Sequence, residues 1–377
     1  MKKFQDISLL QYNTFGIDVR SRSLVCYESE DELIDLIRNS KEELQQPILN
    51  MGAGSNLLFL KDFKGTILKS MIEGVSVLEE DECKVRVRVG SGWIMDEFIV
   101  YSLQQGWNGL ENLSDIPGLV GASAVQNIGA YGVEIGERIE AVNSISLEDG
   151  TKRTFCQEEC CYSYRHSIFK TPEYRGRYAV TSVDYCLDKI FTPNIEYAGI
   201  RQVLRSDGLD IAGLSAMQLR NTIINIRKNK LPDPKVQGNA GSFFMNPIVD
   251  SATFGRLKSM YADMPGYVVD DTHMKIPAAW LIEQCGWKGA ALGRTPGFYT
   301  AGRLLNSPPR CSRPGLRTEP AGSAPQKTER EMRRLQQPSV YRRPHRRHGQ
   351  ANGAPHTTET ASVHAGTKAP KHRPPSE

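Results

Sequence analysis

Ser242 stands in the segment KLPDPKVQGNAGSFFMNP, Lys230 to Pro247, between Gly238 and Gly241 on one side and Phe243-Phe244 on the other. As a nucleophile its hydroxyl would need a base within reach. Outside residues 301–377 the chain offers only His166 and His273, and GNAGS is not the GxSxG elbow of serine hydrolases. A hydroxyl that gives its proton away needs no such relay, so the segment leaves acid chemistry open and disfavours hydrolysis. A structural serine in a loop is the competing reading. Lys230 and Asn246 lie close enough in sequence to line the same pocket.

Three further segments could carry chemistry. YSYRHSIFK, Tyr162 to Lys170, sets Arg165 and Lys170 among aromatics. The planar fork of Arg165 suits an anionic substrate, although a solvated basic turn would use the same residues. His166 reads equally as a base and as a surface histidine. GAGSN, Gly52 to Asn56, has glycines that let backbone N–H groups approach a phosphate, with Ser55 and Asn56 as added polar contacts. A plain tight turn is as good a reading, because neither GxGxxG nor GxxxxGK[ST] is present. IPGLVGASAVQNIGAYG, Ile116 to Gly132, strips side chains from a long stretch of backbone and leaves Gln126 and Asn127 as its polar exceptions. Such a surface suits a large flat ligand better than it suits a packed apolar loop.

The elements that must hold these segments are legible by period. SEDELIDLI reads as a helix capped by Ser29, with Glu32 three residues on and Leu33, Leu36 and Ile37 on one face. QPILNMGAGSNLLFL predicts a strand, a small-residue loop and a second strand. VRVRVGSG alternates Val85, Val87 and Val89 as a half-buried strand. A helix follows, ending near Gly106. RIEAVNSISLEDGTKRTF alternates and turns at Asp149-Gly150, and RYAVTSVDYCLD is another strand. Later, GLSAMQLRNTIINIRKNK, SATFGRLKSMYADMP and IPAAWLIEQCG read as helices, the second ended by Pro265 and the third started by Pro277. The pattern is strand-rich α+β without an even βαβα rhythm. It places a domain boundary near 190–200.

Charge divides the chain. Residues 301–377 carry 15 Lys/Arg against 5 Asp/Glu, and residues 1–300 carry 32 against 38. A mildly acidic body argues against a nucleic-acid surface as its main business. The end of the chain has 12 Arg, 11 of the 21 Pro and five of the seven His, with no Ile, a composition that cannot offset its ordering entropy. Its arginines could bind polyanions weakly, a tail property. No secretory leader opens the sequence and no run approaches a membrane span. The eight cysteines show no ligand or redox spacing, which fits reduced thiols in a cytoplasmic protein.

Taken together, YNTFGI (Tyr12 to Ile17), GAGSNLLF, GLENLSDIPGLVGASAVQNIGAYG, YSYRHSIFK, KLPDPKVQGNAGSFFMNP and AAWLIEQCGWKGAALG resemble the UDP-N-acetylenolpyruvoylglucosamine reductase family of flavoproteins, over about residues 4–293. The resemblance implies an α+β, vanillyl-alcohol-oxidase/PCMH-type FAD-binding fold over residues 1–192, split near 68. It implies a separate substrate domain over 193–300, here incomplete at its C-terminal end, while the composition of 301–377 makes that stretch a disordered basic tail. It implies that Gly52, Ala53, Gly54, Ser55, Asn56 and Leu57 wrap a noncovalent FAD. Pro117, Gly118, Gly121, Ala122, Gln126, Asn127, Gly129, Ala130, Tyr131 and Gly132 would complete the wrap. Arg165 matches the arginine that steadies the enolic intermediate and Ser242 the proton donor. Tyr197, Arg227, Lys230 and Asn246 match positions that hold UDP-N-acetylglucosamine enolpyruvate, and Tyr197 points to the branch with a closing tyrosine loop. NADPH is the implied reductant, with no metal, no specific nucleic-acid or membrane partner, and a monomeric state.

The family pattern should continue beyond Gly293 to a Glu-Pro-Glu-Val-type motif whose first glutamate joins in protonation. Here LGRTPGFYTAGRLLNS departs, and Glu319-Pro320 has neither the second glutamate nor the apolar strand around it. The shift suggests a coding frame change between about residues 293 and 303, with a natural disordered extension as the alternative. Competing functions are another FAD-dependent oxidoreductase of the same superfamily and a non-catalytic flavin-binding product.

Overall fold

The computed structural model describes residues 1–286 except Ala198, Pro232, Gln237 and Phe243, with the main chain alone at 240–242, 291–292, 297–300 and 303–306.

Four strands form the first sheet: β1 (Lys2–Ser8), β2 (Arg20–Tyr27), β3 (Ile48–Asn50) and β4 (Phe63–Ser70), in the order β1-β2-β4-β3. β4 runs parallel to both β2 and β3, so the chain must cross over between them. Helix α1 (Glu30–Asn39) makes the first crossover. The Ser29 hydroxyl accepts the Glu32 N–H at 3.2 Å, but the Glu32 carboxylate takes the Glu28 N–H at 2.7 Å, so only half of the expected capping box closes. Leu33, Leu36 and Ile37 are buried, each contributing about 1.5–3 kcal/mol. The second crossover, residues 51–62, corrects the sequence reading. LLFL is loop rather than strand: Leu57 and Phe59 tuck against the first sheet's core and Leu60 is left 87% exposed.

The second sheet is antiparallel and carries the largest core. It consists of β5 (Val75–Glu80), β6 (Lys84–Gly90), β9 (Ile139–Ser146), β10 (Lys152–Cys156) and β11 (Tyr178–Asp188), in the order β10-β9-β11-β6-β5. Val85, Val87 and Val89 are fully buried while Lys84, Arg86 and Arg88 face outward, the period of two that the sequence carries. Helices α2 (Met95–Gln104) and α3 (Val120–Gln126) cover the inner face, and a ribbon of β7 (Gly129–Ala130) with β8 (Val133–Glu134) follows α3.

The remaining elements begin with α4 (Ile200–Ser206) and α5 (Ala216–Lys230), which share a core of Ile200, Leu204, Leu219 and Ile223. Ser215 and Gln218 close a full capping box at the start of α5. Strands β13 (Ile248–Asp250), β14 (Tyr267–Val268) and β15 (His273–Lys275) form a small sheet with α6 (Ser251–Met260) and α7 (Ala278–Gln284) beside it. α6 stops at Met260, before the Pro265 that the sequence suggested as its end. Gly286 follows α7 at φ +69°, the left-handed geometry that favours glycine at a helix end.

A last sheet orders β12 (Asn239–Ser242), β18 (Arg303–Asn306), β17 (Gly297–Thr300) and β16 (Ala291–Leu292). β18 lies beyond residue 301, where the sequence reading begins the tail. Phe298, Tyr299, Leu304 and Leu305 are residues suited to strands, and the Arg303 backbone partners Ser242. Residues 307–377, the remainder of the expected tail, lie outside the described residues.

Candidate functional site

The two glycine loops expected at a phosphate meet in space. The Ser55 hydroxyl donates to the Pro117 carbonyl at 2.7 Å, and a β-carbon on Gly52 would come within 2.9 Å of the Ala122 β-carbon. Gly54 is buried with φ +66°, and Gly121 packs on Ser91. From below, the Lys69 ammonium reaches the Gly52 carbonyl at 3.3 Å; burial pushes it below the ordinary lysine range. Ala53, Leu57 and Gly118 stay half-exposed, and Asn56 and Pro117 are exposed. A β-carbon on Gly118 would meet nothing nearer than the Ser55 hydroxyl at 4.0 Å.

The second motif is clasped to the arginine segment. Arg165, itself at φ +55°, donates to the Gly129 carbonyl at 3.0 Å. Lys170 donates to the Gln126 side chain at 3.1 Å and to the Arg165 carbonyl at 2.6 Å, and Ser167 to the Val125 carbonyl at 2.6 Å. Burial, then the nearby Arg165 and Arg175, push the Lys170 ammonium down. Asn127 donates to Glu134 and to the Ser163 carbonyl at 2.7 and 2.8 Å and accepts the Gly136 N–H at 3.0 Å. Both its amide hydrogens are used inside the protein, so Asn127 acts as scaffold. Ala130 lies in the ribbon, and Tyr131 and Gly132 turn the chain at φ +51° and +84°. Asn112, which sequence reasoning did not single out, holds that turn by donating to the Tyr131 and Asn194 carbonyls at 2.8 and 2.9 Å. No spacing in the sequence marks it; the structure buries its amide between Glu111 and Leu113.

Residues expected at the substrate gather from several elements. Tyr197 meets Tyr131 edge-on, ring centres 5.4 Å apart. Burial, then Tyr267 and Tyr164, raise its phenol above the ordinary range. Asn246 takes the Ala278 N–H at 2.9 Å at the start of α7, and its own N–H points to the Tyr164 hydroxyl at 3.4 Å. Lys275 stands 4.4 Å over the Tyr164 ring. Tyr164 is thus a second residue that motif reading passed over. Lys230 is the exposed last residue of α5. Arg227, one turn earlier, is buried and donates to the Asp115 carbonyl at 2.9 Å, so its guanidinium is turned onto the loop before Pro117. Ser242 is placed by main chain only, in β12; its hydroxyl lies outside the described residues. His166 faces the Cys161 carbonyl and His273 sits in a turn with Asp270, so neither is built as part of a triad.

The donor set suits a dinucleotide with a planar ring. Glycines that let the loops pack closely at Gly52 and Gly129, an open face at Gly118 and flanking cations are the features such a ligand needs. Among the described residues no cluster could hold a metal, and no helix is long and apolar enough to cross a membrane. Cys26, Cys83, Cys156, Cys160, Cys161 and Cys186 are free thiols.

Loops of this kind on paired α+β lobes define an FAD-binding oxidoreductase fold, and a family model described as "FAD binding domain" matches residues 22–155. A second model, "UDP-N-acetylenolpyruvoylglucosamine reductase, C-terminal domain", matches residues 233–297. The UDP-N-acetylenolpyruvoylglucosamine reductase of Bacteroides fragilis is 50% identical over 289 residues, 77% of this chain and 85% of that protein. The protein of the same name from Porphyromonas gingivalis is 43% identical over 291 residues, 77% and 84% of the two chains. The crystal structure of the Thermus caldophilus reductase shares the fold at TM-score 0.53 and 20% identity, over 89% of this chain and 94% of that one. The chain belongs to the UDP-N-acetylenolpyruvoylglucosamine reductase family.

Proposed function

We propose that this chain reduces the enolpyruvyl group of UDP-N-acetylglucosamine enolpyruvate to the lactyl ether of UDP-N-acetylmuramate, in the cytoplasmic phase of peptidoglycan synthesis and as a monomer. The observation that carries the reading is the clasp between Arg165 and Gly129, beside the Tyr131–Tyr197 pair. It puts a fixed guanidinium at the edge of the loop that would face the cofactor. The loops of Gly52 to Leu57 and Pro117 to Gly132 would hold FAD without a covalent bond, and the flavin, reduced by NADPH, would supply the hydride for the double bond.

The protein's own residues do the rest. Arg165 holds the substrate carboxylate and the charge that grows beside it, in a position already paid for in folding. Ser242 gives its proton to the neighbouring carbon. Tyr197 covers the nucleotide sugar, while Lys230 and Asn246 bind its charged and polar groups. Arg227 acts through Asp115 on the loop that leads to Pro117.

The sequence after residue 293 bears on completeness. The C-terminal-domain match stops at residue 297, and no Glu-Pro-Glu-Val follows in the sequence. We infer that the flavin is reduced by NADPH at a family-like rate, whereas its reoxidation by the enolpyruvyl nucleotide is slowed by roughly 10²–10⁴, the worth of one proton-transfer group. Anaerobic rapid mixing reads both steps separately. Reoxidation as fast as in the Bacteroides fragilis relative would overturn the inference. Reading the coding DNA in the other two frames tests the frame change: neither frame yielding a Leu/Val strand and Glu-Pro-Glu-Val would sink it.

A further inference from the structure

The turn Tyr12–Gly16 offers no obvious chemistry of its own, yet two remote glycines lie hard against it. A β-carbon on Gly54 would come within 2.0 Å of the Tyr12 carbonyl oxygen, and one on Gly238 within 2.1 Å of the Phe15 carbonyl oxygen. Between these contacts Thr14 bonds twice to one residue. Its carbonyl accepts the Asn239 N–H at 2.9 Å, and its hydroxyl donates to the Asn239 carbonyl at 2.7 Å. The turn is stiffened from within. Asn13 donates to the Leu9 and Ile17 carbonyls at 2.6 and 2.9 Å and accepts the Ile17 N–H at 3.1 Å. One rigid turn is therefore wedged between the cofactor loop and β12.

We propose that Thr14 is a positioning residue for the protonation step, fixing β12 against the cofactor loop through its hydroxyl. The proposal rests on the reading of Ser242 as proton donor. In that step the Ser242 O–H bond breaks as a C–H bond forms at the substrate carbon left electron-rich by hydride addition. The electrons come from NADPH by way of FAD, and solvent returns the proton to serine. Two hydrogen bonds to one residue fix both the height and the tilt of the strand. With the hydroxyl bond removed, the Tyr12–Gly16 turn keeps only the Asn239 N–H bond of this pair, and β12, still paired with β18, can tilt against the turn. A displacement of about 1 Å is enough to cost on the order of 10²-fold in rate.

The test uses the full chain with Thr14→Val, Thr14→Ser and Ser242→Ala. Three readings are taken: amide exchange over 238–242, flavin reduction by NADPH, and anaerobic flavin reoxidation by the enolpyruvyl nucleotide. For Thr14→Val, exchange over 238–242 rises at least tenfold and reoxidation slows at least tenfold, while NADPH reduction stays within twofold. Thr14→Ser, which keeps the hydroxyl, stays within threefold on all three. Unchanged exchange in Thr14→Val overturns the proposal, as does an equal slowing of both half-reactions or loss of FAD from that variant. Should Ser242→Ala reoxidise at the parent rate, the reading of Ser242 falls, whereas the clamp is still judged by the exchange of 238–242.

Discussion

Arg220 on α5 presents two guanidinium nitrogens to the two carboxylate oxygens of Asp96 on α2, at 2.6 and 2.7 Å. Asp96 also takes the N–H of Asp115 at 2.6 Å, and Arg227 donates to the carbonyl of that same residue. A single charge pair thus ties the helix that ends at Lys230 to the loop that begins the second glycine motif.

Replacing Arg220 by Met leaves the Asp96 carboxylate without its main partner in a partly buried place. The expected loss is about 3 kcal/mol, the low end for a broken buried pair because Asp96 keeps some access to water. Burial pushes the Asp96 carboxyl up, but Arg220 and the Asp115 N–H outweigh it and hold it below the usual range. With the folded value depressed, the stabilisation is present above the unfolded value of about 3.9 and is lost as pH falls through the folded one. Urea melts of the unchanged chain and of Asp96→Asn should therefore converge below about pH 4; a gap that stays constant from pH 7 to pH 3 contradicts this.

Glu111 gives the opposite sign. Burial raises its carboxyl, and the Gly109 N–H bond at 2.7 Å only partly offsets that. Between the unfolded and the raised folded value the folded state holds more protons, so stability falls as pH rises through that window. Glu111→Gln keeps an acceptor for Gly109 and cannot ionise. It should melt higher than the parent at pH 7–8 and equal to it near pH 4; a lower melting point at pH 7 would refute the argument.

The junction of the two glycine loops predicts graded effects on FAD. Ser55→Ala removes one hydrogen bond worth about 1 kcal/mol, so FAD should bind roughly fivefold more weakly, read by flavin fluorescence on dilution. Gly54→Ala forces a β-carbon onto the Tyr12 carbonyl in a left-handed conformation and should purify without flavin. Normal FAD content in Gly54→Ala would show that the turn at Tyr12 can move aside.

Arg165→Lys keeps the charge and loses the planar fork. It should leave NADPH reduction of the flavin within about twofold and slow enolpyruvyl-dependent reoxidation by roughly 10²–10³. Equal slowing of both half-reactions would move Arg165 from the substrate to the cofactor.

What was legible in the sequence was local. The Ser29 cap, the Val85–Val89 alternation and the Gly286 helix end follow from spacing alone, and the structure shows each of them. LLFL misled because four apolar residues in a row do not distinguish a strand from a loop packed on a core. The distant pairings left no spacing to read: Thr14 with Asn239, Asn112 with Tyr131 and Asn194, and Arg220 with Asp96. Each is a polar side chain whose partner is decided by the topology of the sheets rather than by its neighbours in the chain. The motif families carried the remaining information, naming the loops but not which of their residues face inward, as Asn127 does.

Thr14 and Asn239 are 225 positions apart. At about 5–20 residues per second, a ribosome makes Asn239 roughly 10–45 s after Thr14. Throughout that interval the Tyr12–Gly16 turn, already braced by Asn13, waits without its mate. The strand carrying the proposed proton donor can dock only after nearly all of the flavin-binding lobe has been synthesised. Premature chains that stop short of Asn239 therefore lack the closing piece, and their Tyr12–Gly16 turn has nothing of β12 to hold.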